Sequence, residues 1–433
     1  MKNRWLRHLV LAVVWAVALQ GAGIALASSA DEIPIDVNHF PDGVFLEYVK
    51  TLDIDGNGSL SPQERDAVTV MEFISGYQEQ PIKDLTGISY FANLTELNCY
   101  DNQLTALDLR QNTALTSLNC GSNQLESLDV TQNTRLVTLE CFDNRLTALD
   151  LRQNTALEEV ECSDNPLKTL NVSANANLKV LFCSSAELTA LDVTQNAMLQ
   201  ELNCSGNQLT ALDVTHNPEL MLLSCSSNQL GALDVSKNAK LDNLVCSENA
   251  LKELDVSGNL ALTNLDCANN LLARLDVSAN TKLEEMDCSA NRLMALNASG
   301  NQQLRFFKCD GQKPELEVSQ ASNGLWTIDI ALLPDVDVGK LKQISVQDAG
   351  LLNNETVIWN SKDIRPVLSY RYDTGKGDMR VELTLIPIEG NVGSLAPVLP
   401  QTGDGGQPVL WAALLALSIL GLTLLMLRAR QTH

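Results

Sequence analysis

The sequence predicts a repeat solenoid, mainly β, of eleven 21-residue coils, with a small helical cap before it and a β-sandwich-like domain after it. Three observations carry this. The cysteines stand 21 residues apart without exception, at Cys99, Cys120, Cys141, Cys162, Cys183, Cys204, Cys225, Cys246, Cys267, Cys288 and Cys309. Aligned on them, the unit reads L-x-x-L-x-C-x-x-N-x-L-x-x-L-x-V-x-x-N-x-x, as in Leu115, Leu118, Cys120, Asn123, Leu125, Leu128, Val130 and Asn133. Within each unit, L-x-C and L-x-V alternate with period two, which puts the outer pair of side chains inward and the middle one outward. A short, fixed period means one unit stacked on its own copies.

The N-terminal end is an address rather than fold. Lys2, Arg4 and Arg7 precede an apolar run that closes with Ala25-Leu26-Ala27, so residues 1–27 are expected to be a secretory signal peptide.

Residues 28–93 are expected to form the helical cap. It contains Asp53-Ile54-Asp55-Gly56-Asn57-Gly58-Ser59-Leu60-Ser61-Pro62-Gln63-Glu64, which fills the EF-hand pattern D-x-[DN]-x-[DN]-G-x5-E. In that pattern Asp53, Asp55 and Asn57 offer side-chain oxygens, Ser59 its carbonyl, Ser61 a direct or water-mediated contact, and Glu64 a bidentate carboxylate to one Ca2+. An acidic cap loop that binds nothing is the alternative. Leu85 to Leu94 reads as a degenerate entry coil.

The array itself is expected over residues 94–312. The unit resembles leucine-rich repeats with cysteine in place of the leucine that ends the short strand, and is most similar to the cysteine-ladder repeats of internalin J-type surface proteins. Twenty-one residues leave no room for an outer helix, so an extended segment is expected on both sides of each coil. At about 4.8 Å per coil, the stack should run roughly 50 Å. The asparagines recur where the chain turns; they tolerate left-handed backbone and can bond the next coil's main chain, forming two polar ladders.

Three readings of the cysteine column compete. In-register Cβ atoms stand too far apart for disulfides, which need about 3.8 Å, and the odd count leaves one over. A straight row does not converge on a metal. Burial as a small apolar side chain fits best. A second column, Asp108, Asp129, Asp150, Asp192, Asp213, Asp234, Asp255 and Asp276 with Asn171 and Asn297 in its gaps, faces outward in the L-x-V segment. Either it is a cation-binding stripe or each Asp closes a local turn, and the turn is favoured.

The outward positions beside the strands are where a partner would be chosen. Apolar residues replace the usual Ser, Asn and Thr at Tyr100, Phe142, Val180, Phe182, Met221, Leu222 and Val245, with Glu140, Asp143, Glu158, Glu159, Glu161 and Asp164 around them. Aromatic anchors ringed by polar groups read as a recognition surface; isolated exposed apolar residues are also ordinary.

Residues 313–390 alternate as short strands, as in Trp326–Ile330 and Arg380–Leu385, and read as a β-rich domain of no legible function. A short linker, 391–398, follows. Asn391 to Thr402 spans at most about 40 Å, with no Pro/Ser/Thr-rich stalk.

The C-terminal 399–433 opens with Leu399-Pro400-Gln401-Thr402-Gly403, followed by an apolar run over 409–427 and then Arg428 and Arg430. The run is just long enough to span a bilayer, so a plain transmembrane anchor is one reading. The whole order resembles the LPXTG cell-wall sorting signal of Gram-positive surface proteins. The resemblance implies that a sortase cuts between Thr402 and Gly403 and joins Thr402 covalently to peptidoglycan.

Of 53 acids and 30 bases, one acid and five bases fall in the two ends, leaving a net charge of −27 against −23 for the whole chain. That field repels nucleic acid and favours cationic partners. The four histidines are scattered, and no catalytic or zinc constellation is present, so an enzyme is not expected. The expected function is that of a wall-anchored surface protein whose solenoid binds a host or neighbouring-cell protein or glycan. The alternative is a structural component of wall or pilus with no host ligand.

Overall fold

The computed structural model describes residues 31–73, 80–318, 326–346, 351–353, 356–359 and 367–387. The signal segment 1–27, the linker 391–398, the Leu399–Gly403 motif and the apolar run 409–427 lie outside them. Among the described residues, no helix is long and apolar enough to cross a membrane. The chain divides into two compact units, Met1–Gln312 with Thr374–Met379, and Lys313–Asp373 with Arg380–His433.

The first unit is a parallel-β solenoid of the leucine-rich-repeat type. Three-residue strands recur from Glu96–Asn98 to Phe306–Lys308, each pairing in parallel with the residues 21 positions on. The sheet starts one strand earlier than the sequence period suggests. Val70–Glu72 pairs with Glu96–Asn98 and makes the sheet twelve-stranded. Every repeat leucine and cysteine from Leu94 to Cys288 is buried, so the interior is one continuous apolar column.

Two buried amide ladders join the coils. In the first, the asparagine three residues after each cysteine donates Nδ2 to the carbonyl 24 residues back and accepts a backbone N–H from the leucine 19 residues back. Asn144 shows it: Nδ2 to Cys120 O at 3.0 Å, and Leu125 N–H to Oδ1 at 2.9 Å. Gln312, which breaks the sequence pattern, takes the same rung with Nε2 to Cys288 O and Leu293 N–H to Oε1. In the second ladder, Asn112 to Asn301, each Nδ2 spans two carbonyls of the preceding coil, as Asn217 does to Val193 O and Asn196 O. In the first ladder one short side chain makes four bonds, as Asn144 does, and in the second Nδ2 alone satisfies two buried carbonyls, which explains why asparagine and no apolar residue sits at these positions.

The left-handed backbone falls one residue earlier than expected. The residue before each first-ladder asparagine takes it, from Asp101 (φ 54°) to Ala290 (φ 53°), with glycine there only at Gly206 and Gly311. The asparagine itself is needed for its amide. A non-glycine residue in this region costs about 1–2 kcal/mol, which the amide bonds offset.

One rung is missing. Ala186 stands where an asparagine would, and the Leu167 N–H it would have held turns back to Asn165 O at 2.8 Å, with Lys168 at φ 62°.

The expected extended strand in the L-x-V segment does not form a sheet. The same spacing serves a different backbone there, because each Asp or Asn of the column accepts the N–H two residues on, at 2.9–3.2 Å, and so removes a donor a second ladder would use.

The N-terminal cap is built on two short helices, α1 (Gly43–Lys50) and α2 (Pro62–Asp66). Asp42 caps α1, accepting from Val44 N and Phe45 N, and Ser61 with Glu64 forms a capping box on α2. Phe40, Phe45 and Phe73 stack edge-to-face in series at 5.6 Å and are fully buried, tying α1 to the first strand of the sheet. At the other end, Ala298 N–H donates to Thr374 O at 2.8 Å, so Thr374–Met379 takes up an amide of the last coils.

The second unit holds two sheets. One orders the strands Glu315–Val318, Asp378–Pro387, Val367–Asp373 and Leu341–Val346; the other orders Trp326–Asp329, Thr356–Trp359 and Leu351–Asn353. Ile328, Val357, Leu368, Tyr370, Val381, Leu383 and Leu385 are buried in it.

Candidate functional site

With packing fixing the inward positions, chemistry is left to two places: the cap loop and the outward strand face.

In the cap loop, Asp53, Asp55 and Glu64 bring carboxylate oxygens within 4.8 Å of one another, the only such group of metal-ligating residues among those described. The loop holds itself open by its own amides. Asp53 accepts from Gly56 N, Asn57 N and Gly58 N, and Asn57 Oδ1 accepts from Ser59 N. Gly56 and Gly58 have φ of 69° and 81°, a conformation that glycine takes without cost. Glu64 is buried, and burial pushes its carboxyl up. Bonds from Ser61 and from Ile54 N outweigh that and hold it below the usual range. Within the loop, the strand Ser59–Leu60 pairs antiparallel with Ile33–Pro34.

Each aspartate of the column accepts the backbone amide of its own turn, as the favoured reading expects. Besides the local amide bonds, Asp108 and Asp150 are gripped by Arg110 and Arg152 at 2.6 and 2.7 Å, and those side-chain bonds draw both carboxyls down to about 2. The carboxylates point along the chain at their own turns rather than toward a common centre.

On the strand face, Tyr100, Phe142, Val180, Phe182, Leu222 and Val245 are all half-buried, and Met221 is exposed. The structure does not gather them into one site. It brings Tyr100 and Phe142 together, ring centroids 5.7 Å apart, although 42 residues separate them. They meet because the intervening coil has Gly121 at the same position, where a Cβ would lie 2.6 Å from the Phe142 ring. Val180 and Phe182 share one strand, and Leu222 and Val245 sit on neighbouring strands further along.

Between the two aromatic sets lie Glu140 and Glu161, register partners on adjacent strands. Burial raises both carboxyls, and Glu161 adds to the rise at Glu140. Asn119 Nδ2 donates to Glu140 at 2.6 Å and Ser163 N–H to Glu161 at 3.0 Å. Gly121, Asn119 and Ser163 are three functional-face residues that sequence reasoning missed. Gly121 and Asn119 lie one coil from Phe142 and Glu140, a relation visible only once register is known, and Ser163 lies two residues after Glu161 in the same coil.

His39 is held by Asp36 at 2.8 Å; His216, at an exposed turn, contacts Thr215 and Asp213.

Residues 92–132 match the family model for Leucine Rich repeats (2 copies). Among solved structures, the functional domain of InlJ from Listeria monocytogenes, which includes a cysteine ladder, is 28% identical, with a TM-score of 0.50 over 82% of this chain and 99% of that one. The internalin InlF from Listeria monocytogenes is 21% identical, with a TM-score of 0.57 over 67% of this chain and 87% of that one, a likeness of fold. No curated protein matches the chain.

Proposed function

We propose that this is a secreted, internalin-like surface protein joined to the cell wall of a Gram-positive bacterium, and that its solenoid binds a protein or glycan partner on a host or neighbouring cell. The observation that carries the binding reading is the Tyr100–Phe142 pair beside Glu140 and Glu161, which the packing of the coils does not need. Anchoring rests on the sequence: Leu399, Pro400, Gln401, Thr402 and Gly403, then the apolar run and arginines, suit a sortase that transfers Thr402 to peptidoglycan. We assign no catalytic role.

A second reading, a structural component of wall or pilus, is favoured by the short linker, since Asn391 to Thr402 reaches no more than about 40 Å. Protease shaving of intact cells separates the two. Release of repeat peptides is expected for a displayed array; their absence from the shaved fraction, with the protein still present in the wall, favours the structural role.

In this reading the cap loop holds one Ca2+ through Asp53, Asp55, Asn57, the Ser59 carbonyl and Glu64. The ion would draw these oxygens together and stabilise the cap. Millimolar Ca2+ is expected to raise the melting temperature of the chain relative to chelator by a few degrees, and Asp53→Ala/Glu64→Gln to abolish the difference. Identical melts with calcium and with chelator rule the ion out.

A further inference from the structure

We propose that the strand face from Tyr100 to Phe182 is a docking surface for a lysine- or arginine-bearing segment of a protein partner. This deepens the binding reading above and rests on it.

Charge balance on the face points to the sign of the occupant. The strand segments 95–101, 116–122, 137–143 and 158–164 carry eight acids (Glu96, Asp101, Glu140, Asp143, Glu158, Glu159, Glu161 and Asp164) and no lysine or arginine. The next segment brings Lys179, and Glu158 takes it at 2.6 Å. Among the described residues, Glu140 and Glu161 receive neutral donors, from Asn119 and from the Ser163 amide, which orient the carboxylates without cancelling their charge. Two like charges in register on adjacent strands repel, and their half-buried setting strengthens that repulsion.

Geometry points to a side chain rather than an ion. Glu140 and Glu161 lie in a row along the sheet, and among the described residues the only carboxylates that converge as metal ligands do are Asp53, Asp55 and Glu64. On one side of the row stands the Tyr100–Phe142 pair; on the other, Phe182 lies in register with Glu161 and Val180 with Glu159. A lysine or arginine has the two parts this surface needs: an apolar stem to lie along the rings and a cationic head for the carboxylates. A neutral glycan could stack on the rings but would leave the carboxylate pair uncompensated. An anionic polymer is repelled.

The test uses the full chain and three fluorescent probes: a 12-residue alternating Lys/Leu peptide, its Glu/Leu counterpart, and a neutral oligosaccharide of N-acetyllactosamine. In anisotropy titrations at physiological salt, the lysine peptide is expected to bind and the other two not. Glu140→Gln/Glu161→Gln should weaken it about tenfold or more, and Phe142→Ala severalfold. Asp242→Asn/Glu285→Gln removes equal charge elsewhere on the array and should change binding less than twofold. Absence of lysine-peptide binding, or equal loss in the two double variants, overturns the proposal. Oligosaccharide binding that is lost in Phe142→Ala overturns the cationic partner and leaves the binding reading standing; no dependence on any of these residues removes both. Melting gives a second check. Glu140→Gln/Glu161→Gln should melt higher than the parent, because a repulsion is removed, and a lower melting temperature would mean the pair is structural.

Discussion

Replacing Asn144 by alanine is expected to lower the unfolding free energy by about 3 kcal/mol and to broaden the urea transition. The amide donates to Cys120 O, Cys141 O and Phe142 O at 3.0–3.2 Å and accepts from Leu125 N–H at 2.9 Å, all but the Phe142 bond in the buried interior. Alanine leaves the buried Leu125 N–H without its acceptor, which alone costs about 1–3 kcal/mol, and takes one of two donors from each carbonyl, since Cys120 O keeps Asn123 Nδ2, Cys141 O keeps Asn165 Nδ2 and Phe142 O keeps Ser122 N–H. The chain shows what relaxation is open to it. At Ala186 the orphaned Leu167 N–H is redirected to Asn165 O, and the backbone bends to accommodate this. A second gap at position 144 would leave the coils between the two gaps with weakened coupling at both ends, so the array should melt in parts. A cost below about 1 kcal/mol with an unchanged transition slope would mean that the ladder is not what joins the coils.

The eleven thiols should be inert in the folded chain. Burial pushes Cys99 and Cys204 up to about 12, and their neighbours in the column rise as well. A shift of about three units cuts the thiolate population, and with it the reaction rate, roughly a thousandfold at neutral pH, before the barrier of access is counted. Titration with a chromogenic disulfide reagent should therefore find no fast-reacting thiol in the native protein and eleven in denaturant. Cys309, the least buried at 5% exposure, should react first as denaturant rises. Fast native reaction at Cys120 to Cys267 would contradict packing as the role of the column.

Much of this fold was legible because its signal is long-range order in the sequence itself. A 21-residue period sets strand position, register and interior at once, and one turn of reasoning covers every coil. Three things were not legible. The L-x-V segment copies the L-x-C spacing, yet the aspartate inside it captures its own downstream amide, and local capture competes with sheet formation without changing the apolar pattern. The left-handed residue is marked by glycine only at Gly206 and Gly311; elsewhere Asp, Ser, Glu, Asn and Ala occupy it because the neighbouring amide bonds force it. In the sequence the candidate binding face is a set of apolar exceptions, and those exceptions group only through register. Tyr100 finds Phe142 across the space that Gly121 leaves, whereas Leu222 and Val245 lie on other strands. Composition names such residues, and topology decides which of them meet.

The ladders also bear on how the chain folds. Nearly every coil-to-coil bond spans 19 to 24 residues, so contact distance along the chain is set by the period and does not grow with the number of coils. Adding coils lengthens the protein without lengthening its loops, and the entropy of closing each loop stays the same from first to last. A polypeptide that emerges N-terminus first can therefore order each coil on the one before it. Its starting template is the edge of Val70–Glu72, already held by Phe73 against the cap. Folding then proceeds like the growth of a crystal on a seed, and the cap is the seed.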